Sequence, residues 1–253
     1  MKQIFNIFFL MLFAYALAVQ PATAQFEGEV RFVIQNPGSQ LGETSNVNLT
    51  FTNNRIFVDS NVSLNVMAGL SARGILVRND LNDFVVITTD NEGLKVEKNE
   101  LDGLVSLMNQ VQGKQPSADR KPFPWDEKVE ETGESKQIRG YTVHEFILKG
   151  DNPGERTSVW LTDQIRVNWG LLLDAWYTTG STQFDHEIPI EMVMNSNSFP
   201  LLIEVYRNDE ILMRTEAMSV DDQNFNRSKT ELPSNIRVIG LTDLMMNFFR
   251  QQR

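Results

Sequence analysis

The stretch from Thr132 to Thr162 restricts the fold most, because its pattern is that of a β-hairpin. Tyr141 to Leu148 and Thr157 to Thr162 are rich in aromatic and β-branched residues, which favour strands. Between them, Asp151 to Gly154 reads DNPG, in which proline fixes φ and glycine tolerates positive φ. Gly140 permits a sharp bend before the first strand. We therefore predict two antiparallel strands here.

Alternation of apolar and polar residues predicts more strands on both sides of this hairpin. Such alternation in Gly28 to Ile34 and in Asn46 to Thr52 indicates strands with one buried and one wet face. Asn53-Asn54 is typical of a tight turn into the next strand. The remaining predicted strands are Arg55 to Asp59, Gly74 to Arg78, Phe84 to Thr88, Leu94 to Lys98, Leu201 to Tyr206 and Ile211 to Met218. Asn61 to Ser71 is predicted to be a short helix or a loop.

The hairpin also resembles a known family. Its residues Gly133-Glu134 to Ile138, Gly140-Tyr141, Phe146 and Val159-Trp160-Leu161-Thr162 resemble the signature of the bacterial domain of unknown function 4412. The segments Phe26-Glu27-Gly28-Glu29, Phe199-Pro200-Leu201 and Leu232-Pro233 resemble that family's opening, later and closing segments. The resemblance implies a LolA-like fold, in which a strongly curved antiparallel half-barrel wraps around a small helical lid and leaves an apolar hollow. We therefore predict a mainly β (α+β) single domain over residues 25–240.

A lid helix is predicted from Leu101 to Val111, where apolar residues recur at three- and four-residue spacings. Glu100 and Asp102 lie in its first turn, where the helix dipole favours negative charge. In a half-barrel this helix would lie across the concave face. Its leucine and methionine stripe is either ordinary core or part of a ligand-binding surface. The apolar lining that we predict consists of Leu104, Leu107, Met108, Phe32, Phe51 and Trp160.

Two further apolar segments each have two interpretations. Asp163 to Ser198 contains Trp169 and Trp176, and it is either a second lid helix or an exposed apolar lip for a partner. Burial of the two tryptophans would favour the helix. From Leu241 to Arg253, apolar residues fall at i, i+3, i+4, i+7 and i+8, which predicts an amphipathic helix. That helix either packs on the body of the protein or docks on a membrane or a partner.

Residues 1–24 have the three parts of a secretory signal peptide. Lys2 precedes an apolar run from Ile7 to Val19, and Ala22-Thr23-Ala24 provides the small residues of a cleavage site. The apolar run is shorter than the roughly 20 residues that cross a bilayer. We predict cleavage near Ala24, export to the periplasm or the exterior, and no transmembrane segment in the mature, soluble chain.

Composition argues against several classes of function. The chain has no cysteine, so it forms no disulfide and carries no lipid in the manner of a lipoprotein. A net charge of −10 without basic runs disfavours nucleic-acid binding. Asp185-His186-Glu187 could offer metal ligands, but adjacent strand residues point to opposite faces, and zinc needs three or four ligands. No nucleophile elbow, phosphate-binding glycine loop or His-Glu-x-x-His motif occurs. We predict no catalytic residue, no metal, no cofactor and no enzymatic activity.

Two functional hypotheses from different classes remain. The first is a binding module whose curved sheet holds an apolar ligand, such as a lipid or an acyl chain, or a lipoprotein-like partner. The second is a structural or protein-interaction domain of the cell envelope with a filled core. Its working surface would be the segment from Trp169 to Tyr177 or the tail from Leu241.

Overall fold

The computed structural model describes residues 25–37, 44–65, 71–103, 125–179 and 190–243. The predicted signal peptide, residues 104–111 of the predicted lid helix, the Asp185-His186-Glu187 triplet and residues 244–253 of the tail lie outside these ranges. The strands are β1 (Gly28–Gln35), β2 (Thr44–Thr52), β3 (Arg55–Asn65), β4 (Ser71–Arg78), β5 (Asp83–Ile87), β6 (Glu92–Glu97), β7 (Val129–Ile138), β8 (Tyr141–Lys149), β9 (Glu155–Thr162), β10 (Phe199–Arg207), β11 (Glu210–Asp221) and β12 (Arg237–Gly240).

These strands form one open, curved, 12-stranded sheet in the order β12-β6-β5-β4-β3-β2-β1-β11-β10-β9-β8-β7. Neighbours are antiparallel, except that β12 runs parallel to β6. Within the described ranges the helices are α1 (Trp125–Lys128), α2 (Gly170–Thr179), α3 (Ile190–Val193) and a 3₁₀-helix (Arg227–Thr230), with helical residues also at 98–103 and 241–243. The predicted mainly β class with a curved, largely antiparallel sheet is therefore confirmed.

The predicted hairpin is confirmed as β8 and β9, which pair from His144↔Leu161 to Lys149↔Arg156. The chain enters it from β7 through a two-residue turn in which Arg139 and Gly140 both have positive φ, at 52° and 88°. A two-residue hairpin loop of this kind requires positive φ at both central positions. Gly140 is thus the turn residue of a hairpin that precedes the predicted one.

The prediction of a helix or loop from Asn61 to Ser71 is wrong at both ends. β3 continues to Asn65 and β4 begins at Ser71, with Leu64 paired to Ala72. The pairing register shifts between Asp59 and Leu64. A register shift interrupts the alternation of apolar and polar residues along a strand. The alternation pattern therefore did not predict a strand here.

The segment after β9 contains a helix, as one of the two interpretations predicted. Trp169, just before α2, is 6 % exposed, and its indole nitrogen donates to the Asn195 carbonyl oxygen at 3.2 Å. Its ring stacks on that of Phe199 with centroids 5.8 Å apart. Trp169 is therefore part of the core and does not form an exposed lip. The side chain of Trp176 is outside the described part of the chain.

The inner face of the sheet is the one that packs against Trp169 and α2, and the outer face is its opposite. On the outer face, the 3₁₀-helix is tied to β1 through Lys229, whose ammonium donates to the Glu29 carboxylate at 2.7 Å. Arg31 and Thr50 donate to the same carboxylate. Glu29 is only 6 % exposed, and its bond to Lys229 joins the 3₁₀-helix to β1.

The network predicts a pH dependence of stability. Burial alone would raise the pKa of Glu29, but hydrogen bonds from Lys229 and Arg31 outweigh burial and hold this pKa below its usual value. A carboxylate with a depressed pKa stabilises the fold above its unfolded pKa, and this contribution is lost as the pH falls through the folded pKa. The free energy of unfolding should therefore fall more steeply between about pH 6 and pH 3 in the native protein than in Glu29→Gln.

Urea unfolding at each pH measures this slope. Glu134→Gln is the matched control, because Glu134 is exposed on β7. Equal slopes for the native protein and Glu29→Gln would show that the Glu29 network does not contribute.

Candidate functional site

Two parallel rows of apolar side chains cross β2 to β6 on the inner face. Strand pairing aligns the first row as Phe51↔Ile56, Ile56↔Val77, Val77↔Phe84 and Phe84↔Val96. All five side chains are buried, with Phe84 the most exposed at 7 %. We call these five residues the deep row. All of them belong to the main hydrophobic cluster.

The second row lies two residues along each strand from the deep row. Its register is Leu49↔Val58, Val58↔Ile75, Ile75↔Val86 and Val86↔Leu94. Val86 is buried, but the other four are only half-buried and pack against the main cluster. We call these five residues the aliphatic row. Strands in a sheet lie about 4.8 Å apart, so the row is roughly 19 Å long.

The helical residues near these rows are fixed to the sheet. Leu101 and Leu241, at 3 % and 9 % exposure, enter the main cluster together with Leu171 of α2. Asn79 accepts a hydrogen bond from the backbone nitrogen of Leu171 at 2.9 Å, which satisfies a donor in the first turn of α2. The start of the predicted tail therefore packs on the body of the protein.

Three of the six predicted lining residues lie in the described chain, and all three belong to the main cluster. Phe51 is in the deep row, with ring centroids of Trp169 at 5.6 Å and Phe199 at 5.9 Å. Phe32 lies 6.1 Å from the Phe199 ring. Their neighbours are other protein rings, so a ligand-lining role for them stays a prediction. Leu104, Leu107 and Met108 are outside the described residues.

The sequence reasoning missed the half-buried residues Leu49, Val58, Ile75 and Leu94. The sequence could have identified them, because each lies two residues from a deep-row residue on the same strand and therefore on the same face of the sheet. The lining residues predicted on strands were instead the aromatic Phe32, Phe51 and Trp160, which are all buried in the main cluster.

A group of polar and charged side chains on β7 to β11 surrounds Trp160, the third predicted lining residue. Trp160 is 9 % exposed, and the ammonium of Lys136 lies 3.6 Å from its ring centroid. Glu145, directly opposite Trp160 in the sheet, accepts hydrogen bonds from the Ser158 hydroxyl at 2.7 Å and the Thr132 hydroxyl at 3.1 Å. Trp160 therefore has polar and charged neighbours on its own face of the sheet. We call this group the Trp160 cluster.

Two more strands continue the Trp160 cluster with an ion-pair network. Glu204, 8 % exposed on β10, accepts from Arg214 at 2.5 Å and from the Tyr206 hydroxyl at 2.9 Å. Arg214 also donates to Glu216 at 2.8 Å. Burial raises the pKa of Tyr206, and its hydrogen bond to Glu204 raises it further.

The pKa of Lys136 lies below its ordinary value. Burial of the ammonium is the largest cause, and the positive charge of Arg214 adds to it. Glu204, Glu145 and Glu216 act in the opposite direction without cancelling the effect.

Neither a metal centre nor a membrane-spanning helix is found in the described chain. No group of three or more His, Asp or Glu side chains there could hold a metal ion. Within the same residues, no helix is long and apolar enough to cross a bilayer. His144 is exposed on β8.

Comparisons with known proteins give no family assignment. No family model matches this chain, and no curated protein matches it. Among solved structures, PNGF-II in a P21 crystal form is similar at a TM-score of 0.40 and 12% identity over 89% of this chain. PNGF-II in a C2 form gives a TM-score of 0.40 and 13% identity over 88% of this chain. The chain spans 34% and 33% of the length of these two PNGF-II chains, about a third.

Proposed function

We propose that this protein is an exported, non-catalytic binding module of the cell envelope for an apolar ligand, such as a lipid or an acyl chain. The aliphatic row is the observation that carries the proposal. Its five side chains present only hydrocarbon, and four of them are incompletely buried by the protein. Burial of apolar surface is the main driving force for such ligands, at about 25 cal/mol per Å².

The proposal includes a compartment and a fold family. The N-terminal pattern of residues 1–24 supports export with cleavage near Ala24, to the periplasm or the exterior. The motifs around Gly140 and Trp160 support membership of the domain of unknown function 4412 family and a LolA-like half-barrel. The open curved sheet, with short helices on its inner face, is compatible with that fold.

The structural hypothesis is the second candidate, and the aromatic packing favours it. Phe51 is 2 % exposed and touches the rings of Phe26, Trp169 and Phe199. This part of the inner face is therefore filled by the protein itself. A protein with such a core could act in the envelope through a surface contact with a partner.

Ligand content separates the two candidates. Native mass spectrometry of protein purified from its source, followed by lipid extraction, should show a co-purifying apolar molecule if the binding proposal holds. In vitro, a fluorescently labelled C16 fatty acid should bind the native chain. Ile75→Ser should weaken this binding about tenfold or more, since an aliphatic side chain contributes roughly 1.5–3 kcal/mol when buried.

Leu81→Ser is the matched control, because Leu81 is 53% exposed on a turn between β4 and β5. Circular dichroism verifies that both variants are folded. Absence of any co-purified apolar molecule, together with equal probe binding by the two variants, would reject the binding module and favour the structural candidate.

A further inference from the structure

Strand β7 is the last strand at one end of the sheet. In the described chain it pairs with β8 alone, and its residues 133–137 are exposed. β7 has 10 residues, whereas β12, at the opposite end of the sheet, has 4. The free edge of a strand presents backbone N–H and C=O groups to which a strand of another chain can bond. β7 is therefore the longer of the two edges for strand addition.

Charged side chains on β7 limit which strand can lie beside it. Glu130, Glu131 and Glu134 are exposed and acidic, and Lys136 is exposed and basic. Like charges directly opposite each other in a sheet are destabilising, whereas opposite charges are favourable. A complementary strand therefore has a basic residue opposite the start of β7 and an acidic residue opposite its end. The sequence of β7 itself, run in the reverse direction, has this arrangement.

Antiparallel pairing of β7 with the same strand of a second copy has few registers. Directly opposite residues lie on the same face of the sheet, so the two-fold axis passes through one residue of the strand. Axes at Gly133 and at Glu134 pair nearly the whole strand. The Glu134 axis places that carboxylate opposite its own copy, whereas the Gly133 axis places no like charges opposite each other.

The Gly133 axis places Glu130 opposite Lys136 of the second copy, and symmetry repeats this pair. Within the sheet, Glu130 pairs with Ile147 of β8, and Lys136 pairs with Val143. Ile147 and Val143 are an even number of residues apart, so Glu130 and Lys136 lie on one face of the sheet. Two ion pairs can therefore form on that face, one on each side of the axis.

Gly133 and Lys136 are both accessible for this contact. Gly133 has φ of 78° and lies where the pairing with β8 is irregular, and nothing is within 4 Å of the position that a Cβ would take. Glycine in a strand permits another backbone to approach closely. The Lys136 ammonium lies over the Trp160 ring, and no carboxylate of the described chain is within 4.0 Å of it. A carboxylate of a second copy would therefore displace no ion pair at Lys136.

We propose that β7 pairs antiparallel with β7 of a second copy of this chain, with the two-fold axis at Gly133. The two sheets then continue into each other through backbone hydrogen bonds, and Glu130 and Lys136 form two ion pairs. The proposal does not depend on the binding of an apolar ligand. One strand pair buries less surface than the roughly 1,600 Å² of a standard interface, so we expect a weak dimer with a micromolar dissociation constant.

Sedimentation velocity of the mature chain over a concentration series tests the proposal. The native protein should shift from monomer to dimer as its concentration rises. Glu130→Lys sets two lysines opposite each other in each pair, and Lys136→Glu sets two glutamates there. Each variant alone should therefore dimerise at least about tenfold more weakly. An equimolar mixture of the two should form a heterodimer as strong as the native dimer, because each pair again joins a lysine to a glutamate.

Glu134→Lys is the matched control, because it makes the same change of charge on the same strand. With the axis at Gly133, Glu134 lies opposite Thr132, so this variant should dimerise within about twofold of the native chain. Circular dichroism verifies that each variant is folded. The proposal is overturned if the native chain stays monomeric up to about 1 mM, if Glu134→Lys weakens the dimer as much as Glu130→Lys does, or if mixing the two variants does not restore it.

Discussion

Replacing Phe51 with alanine is expected to destabilise the protein by about 3–5 kcal/mol, the range for removal of a buried aromatic side chain. Phe51 is 2 % exposed and lies in the deep row. Three aromatic rings surround it within 6.0 Å between centroids, so its removal leaves a cavity and also removes edge-to-face contacts. These neighbours come from β10, from the segment before α2 and from the segment before β1, so the loss weakens contacts between distant parts of the chain.

Urea unfolding of Phe51→Ala and the native protein measures this difference, provided that the slopes with urea are equal. Leu81→Ala is the control, because Leu81 is 53% exposed and surface changes usually stay within about 0.5 kcal/mol. A loss below about 1 kcal/mol in Phe51→Ala would contradict the packing described for the deep row.

Loss of the Asp83 carboxylate should lower the free energy of unfolding by a similar amount. Arg78 and Asp83 face each other on β4 and β5 and form a bidentate pair, with nitrogen-to-oxygen distances of 2.6 and 2.7 Å. Their side chains are 13% and 4% exposed. Breaking a buried ion pair costs about 3–5 kcal/mol, because the remaining charge stays out of water without a partner. We expect a destabilisation in this range for Asp83→Ala.

The exposed pair Arg73 and Asp90 supplies the control. Their side chains are 62% and 80% exposed, and exposed ion pairs contribute about 0–1 kcal/mol. Asp90→Ala should therefore change the free energy of unfolding by less than about 1 kcal/mol. The double variant Arg78→Met with Asp83→Leu should recover most of the stability lost in Asp83→Ala, because it leaves no unpaired charge. Equal effects of Asp83→Ala and Asp90→Ala would show that burial of the first pair is unimportant.

Local sequence patterns predicted most of the strands because each pattern reports on its own segment. Alternation located β1 and β2, and the turn residues around Gly154, which has φ of 84°, located the hairpin of β8 and β9. The alternation pattern failed to predict a strand where the pairing of β3 with β4 is irregular. The register shift after Asp59 removed the two-residue period, so the second half of β3 was predicted as a helix or loop.

The candidate sites were harder to predict than the strands. Parity along β2 and β3 places Leu49 and Val58 on the same face as Phe51, but their partial exposure depends on which segments cover that face. The contact between Lys136 and Trp160 joins β7 to β9, two strands apart. No spacing rule in the sequence relates these two residues, because their contact depends on which strands lie beside each other in the sheet.

Local patterns were sufficient to predict most of the strands and several turns, because alternation, β-branched residues and glycine or proline act within a few residues. Which strands become neighbours and which polar groups are buried is seen only in the folded chain. β1 pairs with β11, and Glu29 bonds Lys229 across 200 positions of sequence. Such contacts form only when distant segments pack in one geometry, and no local pattern encodes that geometry.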